Sequence, residues 1–331
     1  MMKAFVTGAT GFIGRRLVDR LCRDGVKVVA LVRTQNHGLP PDVQVLYGDL
    51  LSPDSFQRGG EGCDRLYHLA ALISFDPRQR DRLCRVNGQG TANILTAAKR
   101  WGVKRSVVVS SACTVGISER PDQVLDEDSP LPESLVERHP YLASKLEAER
   151  VASSMAQEQT VVIVNPTTVY GPGDWSLNSG TLVRKVARSS ILPVPPGGSN
   201  VVDVDDVVEG ILLAGERGHT GRRYILGGLN LSFRQIFSII AAVVGRRPLF
   251  LPLPFWMRRP MAGTVRLVEG VIHSRFFTSQ IVEDLFAFKY YSSHRAQHEL
   301  GWKPQYGFAQ SIERAWAFYR QAGLVYKGIE N

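Results

Sequence analysis

The chain has 331 residues, 44% of them hydrophobic, and a formal net charge of +9. That supports one large domain with an appendage or two domains, and no run approaches the ~20 apolar residues of a membrane span. The charge favours anionic ligands or an anionic surface, while basic blocks interleaved with stacking aromatics are absent, which argues against nucleic acid.

Lys3 to Thr7 reads as a short apolar strand. It runs into Gly8-Ala9-Thr10-Gly11-Phe12-Ile13-Gly14, with glycines three residues apart. Gly8 permits a tight turn, Gly11 a close backbone approach to a pyrophosphate, and Gly14 close packing of the next helix. The helix N-terminus then offers N–H groups and a positive dipole end to the phosphates. A strand before and an amphipathic helix after supply the context that a lone glycine trio lacks. That helix, about Arg15 to Arg23, places Leu17, Val18, Leu21 and Cys22 on one face. With a strand expected from residue 3, no secretory leader is expected. Cys22, Cys63, Cys84 and Cys113 show no metal-ligand spacing, so no metal site is expected. A cytoplasmic protein with reduced thiols is the expectation.

Val26 to Val32 is almost continuously apolar, as a parallel strand covered on both faces should be. Strands follow at Gln44–Tyr47, Arg65–Ala70, Arg105–Ser110 and Thr160–Val164. Helices are expected at Asp81–Lys99 and Tyr141–Gln157. This alternation gives an α/β fold, a Rossmann-type doubly wound parallel sheet. After about residue 170, Pro and Gly cluster and elements shorten: a helix at Asp206–Glu216, a strand at Arg223–Leu226, and a helix at Ser232–Val244. Ser232 is its expected N-cap and Gly245 its C′ residue. Residues 1–170 are assigned to the dinucleotide domain, with a strand returning near 200–226. Residues 171–331 mainly supply a smaller C-terminal substrate-binding lid interleaved with it. Much of the positive excess falls there, in Arg246, Arg247, Arg258, Arg259, Arg266 and Arg275.

The end of the second strand reads Leu31-Val32-Arg33-Thr34, with no acid to hold a ribose diol. Arg33 can pair with a 2′-phosphate, and Arg15 is a possible second partner, which favours NADP(H) over NAD(H). In Tyr141-Leu142-Ala143-Ser144-Lys145, Tyr and Lys share a helical face. A nearby ammonium, helped by the cofactor's charge, would bring the phenol into working range for proton transfer. Ser110-Ser111 ends the fifth strand, where a hydroxyl can hold a substrate oxygen as charge develops on it.

Taken with Gly48-Asp49-Leu50, His68-Leu69-Ala70-Ala71, Asn165-Pro166-Thr167-Thr168-Val169-Tyr170-Gly171, Val204-Asp205-Asp206-Val207 and Leu300-Gly301-Trp302, the chain resembles an extended short-chain dehydrogenase/reductase of the NAD-dependent epimerase/dehydratase superfamily over nearly its full length. The resemblance implies that Tyr141 is the general acid/base and that Lys145 holds the nicotinamide ribose. Ser111 would orient the substrate oxygen, with Ser110 and, more distantly, Thr114 as runners-up. Asp49 and Leu50 would bind the adenine, and Ala70 and Ala71 would line the ribose and pyrophosphate. Pro166, Thr167, Thr168 and Val169 would meet the nicotinamide. For Asp49 the alternative is a turn former, and for His68 a satisfied core histidine. A homodimer through the helices at Asp81–Lys99 and Tyr141–Gln157 is also implied.

Two reaction classes compete within the family. Sugar-nucleotide epimerases and dehydratases place an arginine just before the Val-Asp-Asp segment, where this chain has Asn200 or a nonbasic neighbour. It also has Thr114-Val115-Gly116 where Val-Tyr-Gly is common. The second class resembles dihydroflavonol 4-reductases and 3β-hydroxysteroid dehydrogenases, matching Ser-Ser-Ala-x-Thr-Val and Leu31-Val32-Arg33. A bacterial branch named for hopanoid-associated epimerases is resembled too, through Tyr224-Ile225-Leu226-Gly227-Gly228. An apolar lid, Leu249 to Trp256 with Phe276-Phe277, suits a steroid-, terpenoid- or flavonol-like ketone or alcohol. Its alternative is ordinary core packing. A non-catalytic dinucleotide-binding scaffold is a third class, one that commonly lacks the Tyr or Lys retained here. Basic residues beside the apolar lid also suit peripheral contact with an anionic membrane.

Overall fold

The computed structural model describes residues 1–35, 37–269 and 278–325. Arg275, Phe276 and Phe277 lie outside the described residues. The chain begins with β1 (Lys3–Thr7), α1 (Phe12–Arg23), β2 (Lys27–Val32), β3 (Gln44–Tyr47), β4 (Arg65–His68), α2 (Arg80–Cys84), α3 (Gly90–Arg100) and β5 (Arg105–Val109). It continues with α4 (Glu133–Arg138), α5 (Pro140–Met155), β6 (Val161–Pro166), β7 (Thr168–Tyr170), α6 (Gly180–Arg188), β8 (Ile191–Val194), β9 (Gly198–Asp203), α7 (Val204–Arg217) and β10 (Arg223–Leu226). Last come β11 (Leu229–Ser232), α8 (Phe233–Val243), β12 (Leu249–Pro252), α9 (Arg258–Glu269), α10 (Ser279–Asp284), β13 (Phe288–Lys289), α11 (His294–Leu300) and α12 (Phe308–Gln321).

Seven strands form one parallel sheet in the order β10-β6-β5-β4-β1-β2-β3. Their near-continuous apolar character is explained by helices on both faces. Leu17 and Leu21 of α1, Ile211 of α7 and Leu300 of α11 close one side. Ile94 and Leu95 of α3 and Ala152 of α5 close the other. The strand order reverses between β1 and β4, so their carboxyl ends open a crevice where ligands bind in such sheets.

The helix expected over 81–99 is interrupted. A π-type turn at Arg85–Gln89 separates α2 from α3. The Asn87 carboxamide leaves the helix face and binds Leu72 twice, accepting from its N–H at 2.7 Å and donating to its carbonyl at 3.0 Å. It also donates to Ser144 Oγ of α5 at 2.9 Å. The widened turn thus fastens the loop after β4 to the helix that carries Tyr141.

After β6 a second, small sheet runs β11-β9-β13, with β7 beside β9, and β8 pairs with β12 as a separate ribbon. Residues from α6, α8 and α12 fill the core beneath them. Beyond β9 the chain enters α7 directly, with Asp203 capping the helix by accepting from Asp205 N at 2.8 Å. Ser232 and Gln235 form the capping box of α8, and Gly245 follows the helix with φ of 69°. Among the described residues, no helix is long and apolar enough to cross a membrane.

Candidate active site

The glycine loop sits where β1 and β4 diverge. Gly8 has φ of 70°, and a Cβ on it would lie 2.6 Å from the Ala70 nitrogen. A Cβ on Gly14 would lie 2.0 Å from the Gly8 carbonyl oxygen. Gly11 N donates to that same oxygen at 2.9 Å. No side chain caps the start of α1 and no acid lies in its first turn. The N–H groups beyond Gly11, at Phe12, Ile13 and Gly14, thus open towards the crevice beside Thr10, a cradle that fits a dinucleotide pyrophosphate.

A hydrogen-bond relay locks this crevice. Thr7 Oγ1 meets His68 Nδ1 at 2.7 Å, and His68 Nε2 meets Thr91 Oγ1 at 3.0 Å. The Thr91 hydroxyl donates to Asn87 O, so it accepts from the ring, and Ala70 N donates to Thr7 Oγ1. This direction makes His68 a neutral, Nε2-protonated ring, and burial pushes its pKa down to about 3. His68 is a satisfied core histidine that holds Ala70 and Ala71 in position.

Beyond the end of β3, Asp49 accepts from Leu51 N at 2.8 Å through one carboxylate oxygen. It forms a turn while its other oxygen carries no hydrogen bond within the described chain. Leu50 is buried beside Gly90. Arg33 is exposed at the end of β2. Arg15, expected as a second phosphate partner, is committed elsewhere. Its guanidinium donates to the carbonyls of Thr10, His37 and Gly38, at 3.1, 2.8 and 2.8 Å, fastening the loop after β2 to the glycine turn.

Ser111, Tyr141 and Lys145 converge at the carboxyl end of β5. The Ser111 hydroxyl lies beside the Tyr141 phenol, both lining the cleft, and accepts from Cys113 N at 3.3 Å. Burial raises the Tyr141 pKa, the Cys113 thiol beside it adds to the rise, and Ser111 offsets part of it. Tyr141 is therefore a protonated phenol. Lys145, buried, donates to Val109 O at 2.8 Å, and desolvation lowers its pKa to about 8. The Lys145 side chain is thus held on the strand end, and burial governs the phenol. Burial likewise pushes the Cys113 thiol up to about 11, so it is no thiolate at neutral pH.

Of the two runners-up for the substrate oxygen, Thr114 faces the core. Its hydroxyl lies 2.7 Å from Glu149 Oε1 and 2.8 Å from Ser111 O. Asn165 Nδ2 donates to the same Glu149 oxygen at 2.6 Å and to Ser111 O at 3.1 Å. Arg223 closes the set on Glu149 Oε2 at 3.2 Å. Ser110 is buried with its hydroxyl unpartnered. Ser111 alone of the three lines the cleft.

The cleft holds a cavity of about 180 Å³. Phe75, Ile117, Leu135, Leu142 and Tyr291 supply apolar walls, and Pro166, Thr167 and Thr168 form its floor. Phe75 lies against the Tyr141 ring, centroids 5.6 Å apart. Val169 instead packs into the core of the main sheet. Gly116, with φ of 115°, a backbone conformation that favours glycine, accepts from Tyr291 OH at 2.7 Å, and Val115 before it, where a tyrosine is common, is buried. Asn200 is fully buried behind the cleft floor, hydrogen-bonded to Thr167 and Asn230, and does not itself line the cavity.

The far end of the cavity is polar, and sequence reasoning missed it. Asp284 accepts from Lys289 Nζ at 2.7 Å and from Gln280 Nε2 at 3.0 Å. His139 Nε2 lies 3.8 Å from the same carboxylate, and burial lowers the ring's pKa, which leaves it neutral. A lone lysine after the apolar run Leu285-Phe286-Ala287-Phe288 was the available signal.

The model of the NAD-dependent epimerase/dehydratase family matches residues 4–227. The chain belongs to that family. It is an extended short-chain dehydrogenase/reductase, a family of NAD(P)-dependent enzymes. It is 35% identical to a putative dihydroflavonol 4-reductase of a Synechocystis species, covering 97% of this chain and 95% of the relative. It is 31% identical to sterol demethylase protein B of Methylococcus capsulatus, covering 98% and 100%. The family spans other chemistry as well, for a UDP-glucose 4-epimerase of Vibrio cholerae is 27% identical over 93% of this chain and 94% of the relative. Among solved structures, gox2253 superposes with a TM-score of 0.85 at 29% identity, covering 98% and 99%.

Proposed function

We propose that the protein is an NADP(H)-dependent reductase of a ketone borne on an apolar small molecule, steroid-, terpenoid- or flavonol-like. The observation that carries this is the charge state of the cleft. Lys289 is the one Lys or Arg among the described residues that line it, and it is already paired with Asp284. A sugar-nucleotide diphosphate would meet apolar walls and no free cation. The polar end, where Asp284 is already held by Lys289 and Gln280, instead suits an uncharged second group on the substrate.

Gly8, Thr10, Gly11, Phe12, Ile13 and Gly14 would cradle the pyrophosphate, Asp49, Leu50, Ala70 and Ala71 the adenosine side, and Pro166 and Thr168 the nicotinamide. Lys145 would leave Val109 O for the nicotinamide ribose. The bound nicotinamide supplies or takes up the hydride. Ser111 orients the substrate oxygen by hydrogen bond, and Tyr141, held as a phenol, gives that oxygen its proton. The raised phenol supports the reductive direction. Arg33 supports a 2′-phosphate, whereas Arg15 acts on the loop rather than the ligand. The faces of α3 and α5 are read as a homodimer interface, and the unpaired cysteines support a cytoplasmic setting.

The test is NADPH oxidation with ketosteroids, dihydroflavonols, aliphatic ketones and 3-ketoacyl compounds, set against UDP-sugars with NAD⁺. Turnover of an apolar ketone is expected. Conversion of a UDP-sugar without net oxidation would overturn the reading, and tighter NAD⁺ than NADP⁺ binding would overturn the cofactor choice.

A further inference from the structure

We propose that the lid carries a docking surface for an anionic lipid membrane, built on the β8–β12 ribbon and the turn leading into α9. The two strands pair Ile191 with Leu249 and Pro193 with Leu251. Side chains alternate along a strand, so these four share one face while Leu192, Val194 and Phe250 face the core. The outer face should be polar. Instead Ile191 is 55% exposed, Leu249 62% and Leu251 46%. The chain then continues apolar and exposed through Pro252, Pro254, Phe255 and Trp256, the last 72% exposed. A contiguous apolar strip of this kind marks an interaction surface.

The surrounding charge names the occupant. Residues 175–202 and 229–268, which carry the ribbon with α6, α8 and most of α9, contain nine Lys and Arg and no Asp or Glu. Arg188 precedes Ile191 and Arg246 and Arg247 precede Leu249, so three arginines flank one end of the ribbon. Arg259 flanks the other. All four are exposed, and none has an acidic partner among the described residues. Arg258 lies over the Phe255 ring at 5.9 Å and pairs with Glu119. A second copy of the chain docking face to face would set this arginine-rich surface against itself, like charge on like. An anionic bilayer answers both features. Leu, Phe and Trp enter the headgroup boundary while arginines meet lipid phosphates.

The surface also adjoins the cleft. α9 follows directly from the Trp256 turn and shares a buried cluster with α10 through Ala262, Val282 and Phe286. Gln280 and Asp284 of α10 line the cavity. Docking would thus bring the cavity wall next to the lipid. The proposal does not depend on the identity of the substrate.

The test is flotation of the full chain with vesicles of phosphatidylcholine, alone or mixed with phosphatidylglycerol, at low and high salt. Binding to the anionic vesicles is expected, weakened by salt. Arg246→Gln with Arg247→Gln should weaken it by about tenfold or more, since each arginine near the surface contributes roughly fivefold. Leu249→Ser with Trp256→Ser should also release the protein. Arg58→Gln with Arg100→Gln removes the same charge from exposed sites elsewhere and should leave binding intact. NADP(H) titration confirms that each variant is folded, independently of turnover. Equal binding to neutral vesicles, no binding at low salt, or loss with the Arg58/Arg100 control would overturn the proposal. So would self-association that the Leu249/Trp256 variant abolishes.

Discussion

Gly14→Ala tests the cofactor cradle without any knowledge of the substrate. The added methyl would stand 2.0 Å from the Gly8 carbonyl oxygen and 2.8 Å from its carbon, where ordinary contact needs more than a further ångström. Neither partner can yield. Gly8 is pinned by the backbone of Leu69 and Ala70, and α1 is packed through Leu17 and Leu21. Relief requires α1 to move off the turn, which breaks the Gly11 N to Gly8 O bond and misaims the first-turn N–H groups. Overpacking of this kind costs ~1–3 kcal/mol of stability. Losing two charge-assisted hydrogen bonds to phosphate should weaken NADP(H) binding by about 100-fold or more. The assay is an NADPH fluorescence titration beside a urea melt. Gly263→Ala, in α9 with open space around it, serves as the control. It should leave affinity unchanged and stabilise by ~0.5–1 kcal/mol through helix propensity. A Gly14→Ala variant that binds NADPH as tightly as the parent would refute the packing argument.

Tyr141→Phe removes one hydroxyl that faces the cleft beside Ser111, so folding and NADP(H) affinity should stay near the parent. Turnover of any ketone found in the screen should fall by ~10²–10⁴, the usual contribution of a positioned acid, and retained activity would remove Tyr141 from that role. Lys145, with its pKa lowered to about 8, is an ammonium below that pH and an amine above it. Its hold on the cofactor should therefore decline as pH rises through about 8, read as kcat/KM for NADPH, and Lys145→Met should lack that limb. Glu149→Ala strips a shared acceptor from Thr114, Asn165 and Arg223, leaving the Arg223 charge unpaired on a half-buried side chain. A loss of ~3 kcal/mol is expected in urea unfolding, smaller for Glu149→Gln; an unchanged midpoint would deny the network its supporting role.

The sequence by itself determined the parallel sheet, the crevice and which side chains could stand at its rim. Each follows from local rules. Continuous apolar runs require cover on both faces, three glycines after a strand require close backbone approach, and Tyr and Lys four apart must share a helix face. The helix caps at Ser232 and Gly245 were legible for the same reason. Only tertiary structure decided what depends on distant segments meeting. Arg15, adjacent to the glycine loop in sequence, is claimed by His37 and Gly38 from another turn. Of Ser110, Ser111 and Thr114, the twist at the end of β5 turns one hydroxyl to the cleft, leaves one buried and sends one to Glu149. The polar end of the cavity joins His139 to Asp284 and Lys289 across about 150 residues of chain. No periodicity registers such a meeting, because β13, which carries Lys289, takes its place from pairing with the distant β9 rather than from a pattern of its own.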